Sequence, residues 1–228
     1  MLVPVRCGRP KSGNADNAVT AQMDADTLSR QLPKISICVF CGVSALSAFA
    51  RSLKTDMRPG IVTHRLKLRE LAEDDLDFAA LMLGDPEVMR YYPKQLTRDE
   101  SLGWIKRQIS RYALDGHGLW LVSLRQTGEP VGQVGLVRQH VVDGHEQEMG
   151  WLLHRPYWGN GYATEAAFGV RDYAFQTLGI DHVISLIRPV NEKSRRVAER
   201  LGMKVDRRTM FHGYEHEVWR LERQASDR

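Results

Sequence analysis

Cysteine is scarce in this chain of 228 residues: Cys7, Cys38 and Cys41 are all it has. Everything after residue 41 therefore lacks both a disulfide framework and a cysteine nucleophile. Cys38 and Cys41 have the spacing of a metal or redox pair, but no second pair and no nearby histidine joins them. They read as small apolar thiols in an apolar segment. A surplus of one charge is also missing where it would matter. Residues 1–58 hold eight Lys/Arg against four Asp/Glu, which accounts for the whole net charge of +4; the rest balances at twenty-four of each sign. A neutral remainder gives no argument for a nucleic-acid partner. The apolar run Ile35–Ala50, sixteen residues with Ser and Gly among them, falls short of the roughly 20 that span a membrane. Lys34 before it and the cleavage-site-like Ala48-Phe49-Ala50 at its end imitate a signal-peptide core, but more than thirty residues precede it, against that reading. No membrane partner is expected.

What is present centres on His154-Arg155-Pro156-Tyr157-Trp158-Gly159-Asn160-Gly161-Tyr162-Ala163-Thr164-Glu165-Ala166. The apolar segment Met149–Leu153 before it is strand-like. After it Ala163, Ala166, Ala167, Val170 and Ala174 recur at helical spacing as far as Leu178, with Gly179 as a stop. Strand, glycine turn and helix place free N–H groups at a positive helix end, which suits a phosphate or pyrophosphate. A plain Asn-Gly hairpin would need a second alternating strand, and the alanine-rich pattern after Gly161 supplies none. The P-loop pattern is absent because no Gly-Lys-Ser/Thr follows the turn, and Thr164 stands where a dinucleotide fingerprint has its third glycine. The form then repeats. A strand, His182–Ile187, meets the polar turn Arg188-Pro189-Val190-Asn191, and a helix runs from about Glu192 to Leu201 and stops at Gly202.

Other elements follow from period and punctuation. A first strand lies within Thr63–Leu71, and a helix opens at Glu73-Asp74-Asp75 and runs to Leu83. A short helix is predicted from Asp85 toward Tyr91-Tyr92. A longer one, Arg98–Leu114, carries Leu102, Ile105, Ile109 and Tyr112. Strands Leu119–Leu124 and Pro130–Arg138 form a hairpin, and His140–Gln147 is a loop. A last pair of strands occupies Lys204–Phe211 and Glu215–Leu221. Residues 1–58 show no sustained period and form an N-terminal extension, disordered or loosely packed; residues 59–228 form one domain. Met57 is an alternative start of the natural product.

Three pieces, Glu148-Met149-Gly150-Trp151, then Trp158–Ala166, then Asn191-Glu192-Lys193-Ser194 leading to Leu201-Gly202-Met203, resemble the GNAT superfamily of N-acetyltransferases. The branch most similar holds the ribosomal-protein N-terminal (alanine) acetyltransferases. In order and spacing the pieces are jointly specific, and weaker likeness extends from Arg65 to about Leu221. One departure is Pro156, where the family's pyrophosphate motif often starts with Gln or Arg. The resemblance implies an α/β (α+β) GNAT fold: a mixed, mostly antiparallel sheet, splayed at the cofactor cleft, with helices on both faces.

It also implies acetyl-CoA as co-substrate and a primary amine as acceptor; amine pKa values then favour a peptide N-terminus or an amino-acid-like small molecule, whose α-amine is partly neutral near pH 7. Cofactor contacts are expected from Leu152, Leu153, Trp158, Gly159, Asn160, Gly161, Tyr162, Ala163, Thr164 and Asn191. Asn191 also suits an N-cap of the last helix. Glu148 is the candidate general base, set against an ordinary solvent-facing strand carboxylate. Many relatives carry a Tyr seven residues after Asn191; Ala198 stands there, which leaves Ser194 as the hydroxyl near the leaving thiol. No metal is expected: His212 and His216 flank Gly213-Tyr214 in a hairpin and read as solvent-facing. Tyr91, Tyr92, Trp104 and Trp120 are either acceptor-pocket walls or core. The rival functions are a non-catalytic acyl-CoA-binding GNAT module and a polyamine or antibiotic acetyltransferase. A cytoplasmic monomer or homodimer is expected.

Overall fold

The computed structural model describes residues 60–141 and 144–224. The predicted extension, its cysteines and the run Ile35–Ala50 lie outside the described residues. Seven strands form one sheet: β1 (Leu66–Arg69), β2 (Leu119–Leu124), β3 (Pro130–Val141), β4 (Gly144–Leu153), β5 (His182–Ile187), β6 (Lys204–Phe211) and β7 (Tyr214–Glu222). Their order is β1-β2-β3-β4-β5-β7-β6. Every neighbouring pair is antiparallel except β4 with β5. Among the described residues four α-helices accompany it: α1 (Leu76–Leu83), α2 (Arg98–Leu114), α3 (Tyr162–Asp172) and α4 (Glu192–Arg200).

Helices cover both faces, and the register says which. Gln133 of β3 pairs with Leu152 of β4, so the two share a face. Trp104 of α2 donates to Gln133 Oε1 at 3.0 Å, which puts α2 on that face. Trp151 points the other way by strand alternation and donates to Ser194 Oγ of α4 at 3.3 Å. Ala166, Ala167 and Val170 of α3 are fully buried in the same core as Met149 and Leu153. Small residues there let helix and sheet approach closely.

Local chemistry sets the helix ends. Thr97 and Glu100 form a reciprocal capping box at the start of α2, Thr97 Oγ1 accepting from the Glu100 N–H and Glu100 Oε2 from the Thr97 N–H. At its far end the buried Tyr112 hydroxyl accepts from the Leu71 N–H at 3.0 Å and donates to the Leu119 carbonyl, tying α2 to both neighbouring chain segments.

Three expectations are corrected. The short helix after Asp85 is a run of turns: Asp85 Oδ1 takes the N–H groups of Glu87 and Val88, at 2.8 and 3.3 Å, and competes with a helix. The loop His140–Gln147 is mostly strand, since β3 runs to Val141 and β4 starts at Gly144. Polar residues there are held by cross-strand partners such as His182, whose Nε2 lies 2.7 Å from Glu146 Oε2, so alternation of hydropathy is lost. His216 does not face solvent; it is 8% exposed, with Phe211 edge-on against its ring. The helix that begins at Tyr162 also changes form, ending in a π turn over Tyr173–Thr177 before Gly179. Among the described residues no helix is long and apolar enough to cross a membrane.

Candidate active site

The cleft begins where the sheet comes apart. β4 and β5 are in register at one pair, Glu148 with Ile184, and diverge beyond it. Ser185 Oγ donates to the Met149 carbonyl at 2.7 Å as a last stitch. From Gly150 to Leu153 the β4 edge turned toward β5 has no strand partner, and backbone groups there are available to a ligand. Leu152, Leu153 and Trp151 line the resulting cleft of about 1150 Å³.

The glycine turn closes one end. Arg155–Tyr157 form a single 3₁₀ turn, and Trp158 Nε1 donates back to the Leu153 carbonyl at 2.7 Å. Gly159 has φ +82° and Gly161 φ +78°, both in the left-handed region that a side chain resists. An added Cβ would meet nothing within 4 Å at Gly159. Gly161 is the N-cap of α3, so the first N–H groups of the helix open into the cleft, lined also by Tyr162, Ala163 and Thr164. Asn160 is not among the lining residues. Its side-chain amide donates to the carbonyls of Tyr157 and Trp158, at 3.2 and 3.3 Å, and braces the turn.

A second brace comes from β1 and its lead-in. Glu165 accepts from Thr63 Oγ1 at 2.6 Å, the Arg65 N–H at 2.7 Å and Arg65 Nε at 2.6 Å, while Arg65 Nη1 reaches the Asn160 carbonyl at 3.1 Å. Burial alone would raise the Glu165 pKa, but these donors outweigh it and hold the carboxyl below its ordinary value. Glu165→Ala is expected to cost about 1–2 kcal/mol, because Thr63 and Arg65 lose a charged acceptor. Tm should drop by roughly 2–8 °C. Thermal melts at neutral pH check it; an unchanged Tm would mean the brace is idle.

Opposite the turn, α4 supplies cations. Lys193, Arg196 and Arg200 all line the cleft, with the Lys193 ammonium 3.9 Å from the Trp158 ring centre. Asn191 Oδ1 accepts from the Ser194 N–H at 3.2 Å as an N-cap, and both residues line the cleft. Ala198 is fully buried. The cradle of free N–H groups, the open space over Gly159 and the cationic wall fit a phosphate-bearing ligand such as coenzyme A.

Glu148 lies apart from this lining, at the apex of the splay and on the α2 face by alternation with Leu152. Burial, its largest influence, pushes its pKa up to about 7, against a hydrogen bond from the Leu186 backbone and the charge of Arg111. Tyr92 as a residue keeps 39% of its surface, yet protein around its phenol, with the nearby Glu148 charge, raises its pKa to about 12. Tyr91 lines the cleft, Trp104 holds Gln133, and Trp120 is core, edge-on to Tyr173. Sequence reasoning brought together the turn, Asn191 and Ser194, but missed Arg65, Arg111 and the Lys193/Arg196/Arg200 wall. The spacing of the last three, three and then four residues, put them on one helix face in the sequence itself. No group of three or more His, Cys, Asp or Glu is arranged to hold a metal among the described residues.

Residues 65–204 match the acetyltransferase (GNAT) domain. The chain belongs to that family. An acetyltransferase from Agrobacterium tumefaciens has a solved structure with TM-score 0.64 and 33% identity, covering 72% of this chain and 94% of its own. The Bacillus subtilis protein YkkB is 38% identical over 148 residues, 63% of this chain and 84% of the relative. A spermidine N(1)-acetyltransferase of Escherichia coli is 27% identical over 143 residues, 63% of this chain and 75% of the relative. The protein is thus a GNAT N-acetyltransferase, and acetyltransferases of this family use acetyl-CoA.

Proposed function

We propose that this acetyltransferase moves the acetyl group of acetyl-CoA directly to an α-amine, at a peptide N-terminus or on an amino-acid-like small molecule. The observation that carries the reading is the unpaired β4 edge, which leads from Glu148 at the apex to the glycine turn. Acetyl-CoA supplies an activated thioester carbonyl. N–H groups from Gly159 to Thr164 hold its pyrophosphate, with Trp158 packing beside the turn. The main chain at Leu152 and Leu153, with the Asn191 side chain, holds its pantetheine arm. A β4 N–H near Leu152 or Leu153 faces the oxygen that gains charge.

In the step itself the amine nitrogen bonds to the carbonyl carbon and the C–S bond breaks. Glu148 receives the proton from nitrogen, and the sulfur leaves with the electron pair. Thiols have a pKa near about 8.5, so Ser194 needs only to offer a hydrogen bond, directly or through water. An α-amine, with a pKa of roughly 7.7–8.0, is partly neutral at physiological pH, while a lysine side chain near about 10.4 is almost wholly charged. One carboxylate base matches the former task. The resemblance of the turn to the ribosomal-protein branch favours the same acceptor. The assay compares rates on a free-N-terminus peptide, its N-blocked lysine counterpart and spermidine; faster transfer to either of the last two would overturn the α-amine assignment.

Residues 1–58 hold none of the motifs used above, and we assign catalysis to residues 59–228 alone, in the cytoplasm where acetyl-CoA is made. A protein starting at Met57 is expected to be soluble and to keep kcat/KM within about twofold of the full chain. A folded truncation that loses turnover would show that the extension completes the site.

A further inference from the structure

Helix α2 turns a polar stripe toward β3 and β4. Trp104, Gln108 and Arg111, spaced by four and three residues, lie on one helix face. Trp104 meets Gln133 opposite Leu152. Arg111, two turns further on, comes close enough to Glu148 for each charge to act on the other. Gln108 is fully buried; its Oε1 accepts from the Leu119 N–H and from Arg111 Nη1, both at 3.2 Å. That neutral amide is the hydrogen-bond partner found for the Arg111 side chain, and no carboxylate oxygen lies within 4.0 Å of it among the described residues. Arg111 is half-buried; Arg107 adds a second positive charge nearby, and the Asp115 carboxylate, like that of Glu148, acts on it without contact.

Across the splay stands another such cation. Arg188 follows β5 and, by alternation, shares a face with Leu186 and Ile184, the partner of Glu148. Its guanidinium sits 4.2 Å from the Tyr214 ring centre, again with no carboxylate in reach among the described residues. Half-buried guanidinium groups with no carboxylate in contact have their desolvation only partly offset, and an anion that arrives in contact relieves the rest. Glu148 and Arg111 attract one another without touching. A negative and a positive group held apart on one face match a zwitterion laid the opposite way round.

We propose that the acceptor carries a carboxylate beside its amine, bound by Arg111 while Glu148 faces the amine, with Arg188 adding positive potential. This rests on the acetyltransferase reading and narrows its acceptor to amino-acid-like molecules. A polyamine brings a second positive charge to Arg111 and is disfavoured.

Two measurements on the full chain test it. Calorimetry with CoA present compares N-acetyl-amino acids with their primary amides, a comparison that needs no turnover. The wild type is expected to bind at least one acid about 10- to 100-fold more tightly than its amide. Arg111→Gln should lose that preference, and Arg111→Lys should restore part of it. No binding of any acid, equal binding of acid and amide, or an undiminished preference in a folded Arg111→Gln protein overturns the proposal. Kinetics with amino acids and amides should then show KM for the acid rising about tenfold in Arg111→Gln while KM for the amide stays put; loss of the Arg111 charge beside Glu148 lowers kcat on both alike near neutral pH. An unchanged ratio of acid KM to amide KM would assign Arg111 to Glu148 alone and overturn carboxylate recognition. Absence of thiol release with every amine would instead remove the catalytic reading, while the calorimetry still decides the carboxylate.

Discussion

Glu148→Gln is expected to lower kcat about 100-fold while leaving acetyl-CoA affinity within about twofold, since general-base assistance is worth roughly 10²–10⁴ and the side chain lies outside the cofactor-lining cleft. The pH profile carries the sharper signature. Burial lifts the Glu148 carboxyl to about 7, so below that value it holds its own proton and cannot take one from the amine. In the wild type kcat/KM should rise with pH through about 7 and again as the amine itself deprotonates at roughly 7.7–8.0, and in the Gln variant only the amine's limb should remain. Tyr92 from the loop before α2, Arg111 from α2 and the Leu186 backbone from β5 face this carboxyl, and neither of the two side chains titrates near neutrality. Stability moves the other way. A carboxyl whose folded pKa is raised stabilises the fold while protonated and loses that contribution as pH climbs through 7. The Gln variant should therefore be at least as stable as wild type at pH 8. Unaltered pH–rate behaviour in a folded variant would make Glu148 an ordinary strand carboxylate.

Gly161→Val should weaken acetyl-CoA binding about 10- to 100-fold. At φ +78° a β-branched residue is a steric outlier, so the turn must rotate and its N–H groups swing away from the cleft. The strain itself is worth about 1–2 kcal/mol, a modest fall in Tm for a domain of this size. Loss of affinity without loss of fold is the expected pattern, read by calorimetry beside a thermal melt. Wild-type affinity in a folded Gly161→Val protein would remove the cradle from the account.

Local signals were legible in the sequence. Gly159 with Gly161 announced the turn, because left-handed glycines act within a few residues. The splay was not legible from pattern alone: strand divergence after Glu148 depends on β5, more than thirty residues further on, and entered only through family resemblance. Periodicity also mistook the working face of α2. Ile109, counted as apolar stripe, is 38% exposed, whereas Gln108 is fully buried because its amide finds hydrogen-bond partners that no hydropathy pattern reveals. The long β3–β4 hairpin was hidden for a related reason, since Glu146 is shielded by His182, Arg207 and Arg220 and not by apolar neighbours.

The splayed cleft is expected both to hold acetyl-CoA and to deliver its acetyl group to an amine placed at Glu148. Acceptor-dependent release of free thiol from acetyl-CoA by the full-length protein, matched mole for mole with N-acetylated product by mass spectrometry, tests it most directly. Release should saturate in both substrates and should climb with pH through about 7. Tight acetyl-CoA binding with no thiol release above background across amino acids, peptides and polyamines would contradict it.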